Sequence, residues 1–274
     1  MPAERKTAIV TGAASGIGRA MTLGLLQNGV DVAAVDRDAT RLAALAATVH
    51  DTQGALQTIP MDLAQSDAFD QIVSAVLGRS GRIDVLVNNA GIGQASIKAD
   101  QRRNPIRFWE VAPDQWQRFL AVNATAPIMM ARAVVPHMLT AGKGRVITVT
   151  TSLGTMVREG YLLYGASKAA AESAMAVLAA DLKGTGVTSN VLVPGGVTNT
   201  GIVGDEAGDR ARMLQPEIMV PPLLWLISDA AAAVTARRFV AMDWDKSLSP
   251  EQAAEKAGVP IAWLGIARMP VEPT

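Results

Sequence analysis

The stretch KTAIVTGAASGIG, residues 6–18, places a short β-rich run directly before a glycine-rich turn and the start of a helix. The apolar periodicity after the turn continues to Gly29, which predicts one helix over residues 16–29. Glycines in such a turn allow close backbone approach, and free N–H groups at a helix N-terminus attract a pyrophosphate. The turn therefore predicts a dinucleotide site, with an ordinary glycine-rich turn as the alternative.

The rest of the chain repeats this alternation of short apolar runs and helical segments. Further strands are predicted at residues 30–36, 56–62, 82–91 (with a turn), 144–151 and 187–196. Further helices are predicted up to Leu45 and at 67–79, 114–139 and 164–182. Short apolar strands that alternate with helices indicate a parallel sheet covered on both faces. We therefore predict one doubly wound, Rossmann-like α/β domain in three layers, α/β/α, over residues 1–274.

The composition excludes several classes of function. Lys plus Arg and Asp plus Glu are each 25, so the formal net charge is zero and no basic footprint for nucleic acid or an anionic membrane exists. The chain has no cysteine and only His50 and His137, which argues against a metal site and a Ser-His-Asp triad. The N-terminal residues lack the apolar core of a secretory signal, and polar residues interrupt the longest apolar run. We expect a cytoplasmic protein with a small-molecule substrate and no nucleic-acid, membrane or metal partner.

Asp36 closes the second predicted strand, eighteen residues after Gly18. Ligands of doubly wound sheets bind beyond the carboxyl ends of the strands, where an acid accepts the ribose hydroxyls of a dinucleotide. The alternative is that Asp36 only caps the following helix. Together with the glycine-rich turn, this acid favours a dinucleotide site.

Three motifs follow one another along the chain: TGAASGIG at 11–18, NNAG at 88–91 and YGASK at 164–168. In this order and spacing they resemble the short-chain dehydrogenase/reductase family, over about residues 6–243. The resemblance implies a nicotinamide-dependent oxidoreductase that acts on an alcohol or carbonyl group. It also implies cofactor contacts at Gly12, Ser15, Gly16, Ile17, Gly18, Asp36, Asp62, Leu63, Asn89, Ala90, Gly91, Pro194, Gly195, Val197, Thr198 and Thr200.

Tyr164 and Lys168 are four residues apart in a predicted helix, so both project from one face. A free tyrosine has a pKa of about 10, which is too high for an efficient proton acceptor at neutral pH. A neighbouring ammonium favours the phenolate, so we expect Lys168 to lower the pKa of Tyr164. The pair predicts a general acid/base, and a tyrosine packed over a surface lysine is the alternative. The resemblance adds that the lysine also holds the nicotinamide ribose.

Asn123 lies within an apolar stripe of its predicted helix, together with Trp116, Phe119, Leu120 and Pro127. A buried amide left unpaired costs about 1–3 kcal/mol, so we expect Asn123 to have a partner. Pro127 has no N–H to donate to the carbonyl of Asn123, which predicts a freed carbonyl and a kink. This fits the role that the resemblance gives to the asparagine, which holds a water that relays protons to the lysine. A structural asparagine at a helix kink is the alternative.

A hydroxyl that polarises the substrate is also expected from the resemblance. In the family a serine usually stands thirteen residues before the tyrosine and three before a glycine. These spacings select Thr151, whereas Ser152 has the usual residue type but is one place out of register. Neighbouring residues of an extended strand point to opposite faces, so only one of them can face the crevice. We assign the role to Thr151 and keep Ser152 as the alternative.

Two segments border the expected substrate site. Residues 92–113 form an extended loop, longer than is usual in the family, that carries Arg102, Arg103 and Arg107 beside Phe108 and Trp109. These arginines either meet an anionic substrate or lie in solvent. Residues 199–215 stand where the family has a mobile substrate lid, and their glycines and charges are typical of a flexible flap.

The C-terminal segment departs further from the family. RRFVAMDWD, residues 237–245, takes the place of the last strand but lacks the usual Asp-Gly-Gly ending. Within the tail, residues 248–274, the spacing of Ser249, Pro250, Gln252 and Gly258 predicts a short helix. The apolar residues 259–264 that follow are expected to pack against the body or a sister subunit.

Cofactor choice and assembly complete the expectations. A 2′-phosphate beside Asp36 would meet like charge, so we predict NAD, with NADP less favoured. Ser15 is neutral where NADP users of the family often carry a basic residue. Arg37, the basic residue next to Asp36, is also an expected cofactor contact, and its charge favours NADP. The helix from Tyr164 is apolar nearly all round, and the family commonly forms tetramers through it, so we expect a homotetramer or else a dimer. The alternative functions are an NAD-dependent isomerase or lyase, and a non-catalytic dinucleotide-binding regulator.

Overall fold

Eight strands form one sheet in the computed structural model, which describes residues 5–204 and 208–267. The strands are β1 Thr7–Thr11, β2 Asp31–Asp36, β3 Leu56–Pro60, β4 Val85–Asn88, β5 Gly144–Val149, β6 Val187–Val193, β7 Arg237–Val240 and β8 Gly258–Pro260. Their order across the sheet is β3-β2-β1-β4-β5-β6-β7-β8, and only β8 is antiparallel to its neighbour. The chain reverses direction between β1 and β4, which is where such sheets bind their ligands.

Helices cover both faces of this sheet. They are α1 Gly16–Gln27, α2 Ala39–Ala47, α3 Ala68–Ser80, α4 Pro113–Leu120, α5 Ala126–Thr140, α6 Leu153–Met156, α7 Ser167–Asp181, α8 Val220–Leu226 and α9 Pro250–Ala257. One apolar cluster joins the sheet to α3, α5 and α7, and a second joins it to α1, α2, α8 and α9. The predicted doubly wound sheet in three layers is confirmed.

The central strands are buried on both faces, so β1 and β4 are mostly apolar, while β6 bonds its buried Ser189 and Asn190 side chains to backbone carbonyls. Every residue of β1 and β6 is buried. The predicted strands extended too far at their carboxyl ends, because β3 stops at Pro60, β5 at Val149 and β6 at Val193. The polar residues after these ends lie outside the hydrogen-bonded ladder and line the crevice described below. The last strand likewise ends at Val240, before a short 3₁₀ turn over Ala241–Asp243.

The long helix predicted over 114–139 is interrupted by one π-helical turn, Ala121–Thr125, between α4 and α5. The whole stretch Pro113–Ala141 is long and apolar enough to cross a membrane by length and composition alone, and half of its most apolar window is buried. Met130 and Met138 are fully buried in the cluster that joins α5 to the sheet. The hydropathy of this stretch is therefore that of a core helix.

The C-terminal segment packs against the body, as expected. The predicted capping box is present, since Ser249 and Gln252 bind each other's backbone N–H at the start of α9. β8 then pairs with β7, and Ile261 is fully buried. Trp263 and Leu264 remain about half exposed. Residues 268–274 of the tail lie outside the described residues.

Candidate active site

A crevice of about 900 Å³ opens at the carboxyl ends of the strands, where the chain direction reverses. It runs from the turn after β1 to the helix that carries Tyr164. The sequence-predicted residues on its wall are Gly12, Ser15, Gly16, Ile17, Asp36, Arg37, Asp62, Leu63, Asn89, Ala90, Gly91, Thr151, Ser152, Tyr164, Lys168, Pro194, Gly195, Val197, Thr198 and Thr200. Gly18 and Asn123 lie behind the wall instead.

The glycine-rich turn is held by close backbone packing. Gly12 has a φ of +64°, a left-handed conformation that glycine adopts without strain. A methyl group at Gly18 would lie 2.0 Å from the carbonyl oxygen of Gly12, so only glycine fits there. The Nδ2 of Asn89 donates to the carbonyls of Thr11 and Gly12, at 3.0 and 3.2 Å. Gly18 and Asn89 therefore shape the turn, and a direct cofactor contact of Gly18 stays a prediction.

Asp36 lies at the end of β2 with its carboxylate turned toward the glycine-rich turn. Its Oδ2 accepts from the N–H of Ala14 at 3.1 Å, and its Oδ1 accepts from the N–H of Asp38 at 3.1 Å. The cap of α2 is Asp38, whose Oδ1 accepts from the N–H of Arg41. Asp36 thus does not cap that helix itself, and its carboxylate stays at the crevice.

The side chain of Thr151 interacts with the Tyr164 hydroxyl and lowers the pKa of this phenol. Thr151 follows the end of β5 and lines the crevice. Ser152 also borders the crevice, but it stands at the N-terminus of the single turn α6. The hydroxyl of Thr150 points away from both and donates to the buried Oε2 of Glu172 at 2.6 Å. Of these three hydroxyl residues, Thr151 is the one paired with the tyrosine.

The expected lowering of the Tyr164 pKa is wrong for the protein alone. Burial raises the pKa of Tyr164 to about 12, the hydrogen bond with Thr151 lowers it, and Tyr161 raises it further. Lys168 is not among the groups that shift this pKa, and its Nζ donates to the carbonyl of Val149 at 2.9 Å. Burial also lowers the pKa of Lys168, to about 8. Desolvation therefore outweighs the attraction between the two groups that the four-residue spacing suggested.

Asn123 is fully buried and its side-chain amide is satisfied. Its Oδ1 accepts from the N–H of Ile92 at 2.8 Å, and its Nδ2 donates to the carbonyl of Ile92 and the hydroxyl of Ser167. The expected partner therefore exists, and it ties the loop after β4 to α7. A methyl group at Gly91 would lie 3.2 Å from the Asn123 Oδ1 and 3.3 Å from the Lys168 Nζ, so both polar groups flank this position.

Both Asn123 and Tyr164 lie in π-helical turns. These are Ala121–Thr125 and Leu162–Ala166, each immediately before a longer α-helix. Single π turns inside helices occur frequently at functional sites, because they re-aim side chains and free backbone groups. The sequence indicated the first of them through Pro127. Nothing in the sequence indicated the second.

Sequence reasoning missed a group of polar residues on the substrate side of the crevice. Gln94 is buried, donates to the carbonyl of Gly160 at 2.6 Å and accepts from the N–H of Tyr164 at 3.3 Å. Gln101 donates to the hydroxyl of Tyr161 at 3.3 Å. Both glutamines belong to the extended loop, whose length was the signal that it contributes to the site.

The arginines of the extended loop differ in position. Arg107 pairs with Glu159, while Phe108 and Trp109 beside it are 71% and 82% exposed. Arg102 is on the crevice wall. Both Arg102 and Arg103 have an interaction partner. Of the two alternatives for the loop arginines, an anionic substrate or solvent, the part of the loop around Arg107 therefore faces solvent.

The expected lid lies against this loop. A methyl group at Gly93 would lie 2.5 Å from a side-chain carbon of Ile202, and one at Gly204 would lie 3.1 Å from the side chain of Ala95. The base of the lid is closed by the pairing of Thr198 with Leu214. Residues 205–207, in the middle of the predicted lid, lie outside the described residues. The extended loop and the predicted lid together cover the substrate side of the crevice.

Comparison with known proteins identifies the family. A model of the short chain dehydrogenase family matches residues 6–211. The chain belongs to this family. Its sequence is 37% identical over 194 residues to a short chain dehydrogenase of Pseudocercospora fijiensis, a match that covers 71% of this chain and 60% of that protein. It is 32% identical to a D-threitol dehydrogenase of Mycolicibacterium smegmatis, over 86% of this chain and 91% of that one.

Solved structures of short chain dehydrogenases share the fold. A 3-ketoacyl-(acyl-carrier-protein) reductase from Brucella melitensis, in complex with NADH, matches with a TM-score of 0.73 and 27% identity over 85% of this chain and 94% of that one. An actinorhodin polyketide ketoreductase variant with NADPH matches with a TM-score of 0.74 and 27% identity, over 86% and 95%. The protein is therefore an oxidoreductase that transfers hydride with a nicotinamide cofactor.

The crevice of this short chain dehydrogenase fits such a cofactor. The left-handed turn at Gly12 and the start of α1 offer backbone N–H groups to a pyrophosphate, and Asp36 offers a carboxylate to a ribose. The same continuous wall leads to Tyr164 and Lys168. No group of three or more metal-binding side chains occurs among residues 5–204 and 208–267.

Replacing Lys168 by methionine is expected to stabilise the protein without cofactor at pH 7. The unfolded chain holds the lysine proton up to a pKa of 10.5, but the folded protein only up to about 8, so the free energy of unfolding rises with pH across this window. Below pH 8 the desolvation of the buried Lys168 ammonium lowers the free energy of unfolding by its full amount. We expect a gain of about 2 kcal/mol at pH 7, shrinking toward pH 10. Chemical denaturation at both pH values measures it.

Lys183→Met is the matched control, because Lys183 is exposed just after the same helix. It should change the free energy of unfolding little at either pH. An equal gain from Lys168→Met at pH 7 and pH 10 would contradict the burial argument.

Proposed function

We propose that the protein interconverts a secondary alcohol and a ketone with NAD(H), and that Tyr164 is the general acid/base. The observation that carries this proposal is that Thr151, Tyr164 and Lys168 lie together on the wall of the dinucleotide crevice, where the Thr151 side chain interacts with the Tyr164 hydroxyl. The nicotinamide cofactor supplies or accepts the hydride. The Tyr164 hydroxyl moves the proton at the substrate oxygen, and the Thr151 hydroxyl donates a hydrogen bond to the same oxygen.

The environment of Tyr164 supports both directions of proton transfer. A pKa of about 12 keeps the phenol protonated at neutral pH, which is the form that donates to a ketone oxygen. In the oxidising direction the phenolate must form, and a cation near the ring favours it. The ammonium of Lys168, held below the crevice by the carbonyl of Val149, is the protein's own cation for this purpose.

Asn123 supports the site through its backbone in this proposal. Its side-chain amide is already bonded to Ile92 and Ser167, which leaves no side-chain N–H for a relay water. The main-chain carbonyl has no α-helical donor, because Pro127 lacks an N–H. This carbonyl, in the π turn, is the group we assign to a water that passes protons toward Lys168.

The reaction is tested by a screen of secondary alcohols with NAD and of ketones with NADH, followed through nicotinamide absorbance. Turnover of at least one such compound is expected. Tyr164→Phe serves as the control for each hit, because activity that persists in this variant does not come from the proposed site.

The cofactor is expected to be NAD, with at least a tenfold preference over NADP in kcat/KM, or about 1.4 kcal/mol. Asp36 keeps a carboxylate at the ribose position, and the nearby Arg41 is already paired with Asp38 at 3.2 Å. A 2′-phosphate would meet negative charge there, and the exposed Arg37 recovers little in solvent. Steady-state kinetics with both cofactors measure the preference.

Asp36→Ala should shrink this preference, since it removes the repulsion together with the acceptor for the ribose. Arg37→Ala is the matched control and should leave the preference for NAD in place. Equal use of both cofactors by the unmodified protein would contradict the assignment.

We further propose a cytoplasmic homotetramer, with a dimer as the alternative. Val177 on α7 and Leu139 on α5 are exposed, although both helices are otherwise apolar and packed on the sheet. Such exposed side chains favour contact with another copy. Light scattering of the purified protein measures the subunit number, and a monomer at micromolar concentration would exclude both assemblies.

A further inference from the structure

A buried ion pair lies behind the catalytic crevice. Glu172 of α7 is 0% exposed, and Arg238 of β7 is 3% exposed. The Oε2 of Glu172 accepts from the Nη1 of Arg238 and from the hydroxyl of Thr150. Its Oε1 accepts from the backbone N–H of Ala262, at 3.1 Å, in the segment after β8. Both oxygens of this carboxylate are therefore occupied by donors from three different parts of the chain.

The second terminal nitrogen of the Arg238 guanidinium contacts the candidate active site. Its Nη2 donates to the carbonyl oxygen of Thr151. The side chain of Thr151 interacts with the Tyr164 hydroxyl. β5 ends at Val149, so Thr150 and Thr151 have left the hydrogen-bonded ladder of the sheet. The ion pair holds both of them: Thr150 through its hydroxyl and Thr151 through its carbonyl.

Stability gives no sufficient reason for this arrangement. The desolvation of a buried ion pair commonly cancels the attraction between its charges, and well-packed apolar residues often replace such a pair without loss of stability. A guanidinium, however, donates along fixed directions and can hold two acceptors at once. Here its Nη1 donates to the Glu172 carboxylate and to the Thr150 hydroxyl, and its Nη2 donates to the Thr151 carbonyl.

We propose that Glu172 and Arg238 are positioning residues that aim the Thr151 hydroxyl at the crevice, and that the C-terminal segment completes them through the N–H of Ala262. The inference rests on the role proposed above for Thr151. It makes the segment after β8 part of the catalytic apparatus, although the segment does not line the crevice.

The proposal is tested by Arg238→Met, alone and combined with Thr151→Val. In the unmodified background, kcat should fall on the order of tenfold, the scale of a misaimed catalytic group, while the Kd for NADH changes less than about twofold. In the Thr151→Val background, Arg238→Met should lower kcat less than about twofold, because there is no hydroxyl left to position. Equal losses in both backgrounds would overturn the proposal.

Arg237→Met is the matched control. Arg237 is the neighbouring residue of β7, and its Nη2 donates to the carbonyl of Gly258 in the same C-terminal segment, at 2.7 Å. It has no bond to Thr151 among those described for its side chain. This variant should keep kcat within about twofold of the unmodified protein. A loss equal to that of Arg238→Met would mean that the two arginines only fix the segment.

Two further measurements keep the proposal falsifiable if a single variant does not fold or no substrate is at hand. The double variant Glu172→Leu/Arg238→Met replaces both charges by apolar groups; once folded, it should still show the loss of kcat, and full activity would overturn the proposal. Hydrogen exchange without substrate should become faster at residues 149–156 in Arg238→Met but not in Arg237→Met, and unchanged exchange at that segment would overturn it too. If Thr151→Val alone keeps full kcat, the proposed function of Thr151 fails instead.

Discussion

Tyr164→Phe is expected to lower kcat by about 10³-fold or more, because it removes the only group proposed to move the substrate proton. The ring remains, so packing against Leu163, Phe119 and their neighbours is retained. The Kd for the dinucleotide should therefore stay within a few-fold. Single-turnover kinetics of hydride transfer, together with NADH fluorescence titration, measure the two quantities separately.

Tyr161→Phe is the matched control for this experiment. Tyr161 also lines the crevice, and its hydroxyl accepts a hydrogen bond from Gln101. It has no bond to Thr151, so this variant should retain most of kcat and change mainly KM. Substantial hydride transfer in Tyr164→Phe would assign the proton transfer to another group and contradict the mechanism.

Thr151→Val is expected to lower kcat by about 10²-fold, the scale of losing one donor to a developing oxyanion. Valine keeps the branched shape of threonine and removes the hydroxyl that interacts with Tyr164. Thr151→Ser should restore most of the activity, because the hydroxyl returns. Steady-state kcat with a substrate from the screen measures each variant.

Ser152→Ala provides the comparison that decides between the two hydroxyls. Ser152 borders the crevice at the start of α6 but is not among the hydrogen-bond partners of Tyr164. Loss of the Ser152 hydroxyl should lower kcat only a few-fold. If Ser152→Ala were the severe variant and Thr151→Val the mild one, Ser152 would be the polarising residue.

The fold was predictable because its signals are local and repeated. A strand such as TAIVT is buried on both faces and is apolar between its two terminal threonines, while a helix such as α1 shows its own periodicity. The glycine-rich turn, Asp36 and Tyr164 were predictable for the same reason, since each follows an element end or a helical spacing. The spacing to Tyr164 that the family resemblance supplies selects Thr151 over Ser152, and this choice stays a prediction.

Properties that depend on burial by distant elements were not predictable. The pKa of Tyr164 is raised to about 12 because other segments exclude water from it, and the four-residue spacing to Lys168 carries no information on this. The pair of Glu172 and Arg238 is 66 residues apart in sequence, and only the order of the sheet brings them together. The π turn at Leu162–Ala166 likewise has a distant partner, since Gln94 of the extended loop accepts from the N–H of Tyr164.

β8 also ends the sheet. An unpaired strand edge presents a row of N–H and C=O groups with which the backbone of another molecule can pair, and this is a route to aggregation. The outer edge here is three residues long, and Pro260, which has no N–H, is one of them. So short an edge, interrupted by proline, gives an incoming strand almost nothing to pair with. At this edge, the last described strand therefore limits the pairing of the sheet with neighbouring molecules.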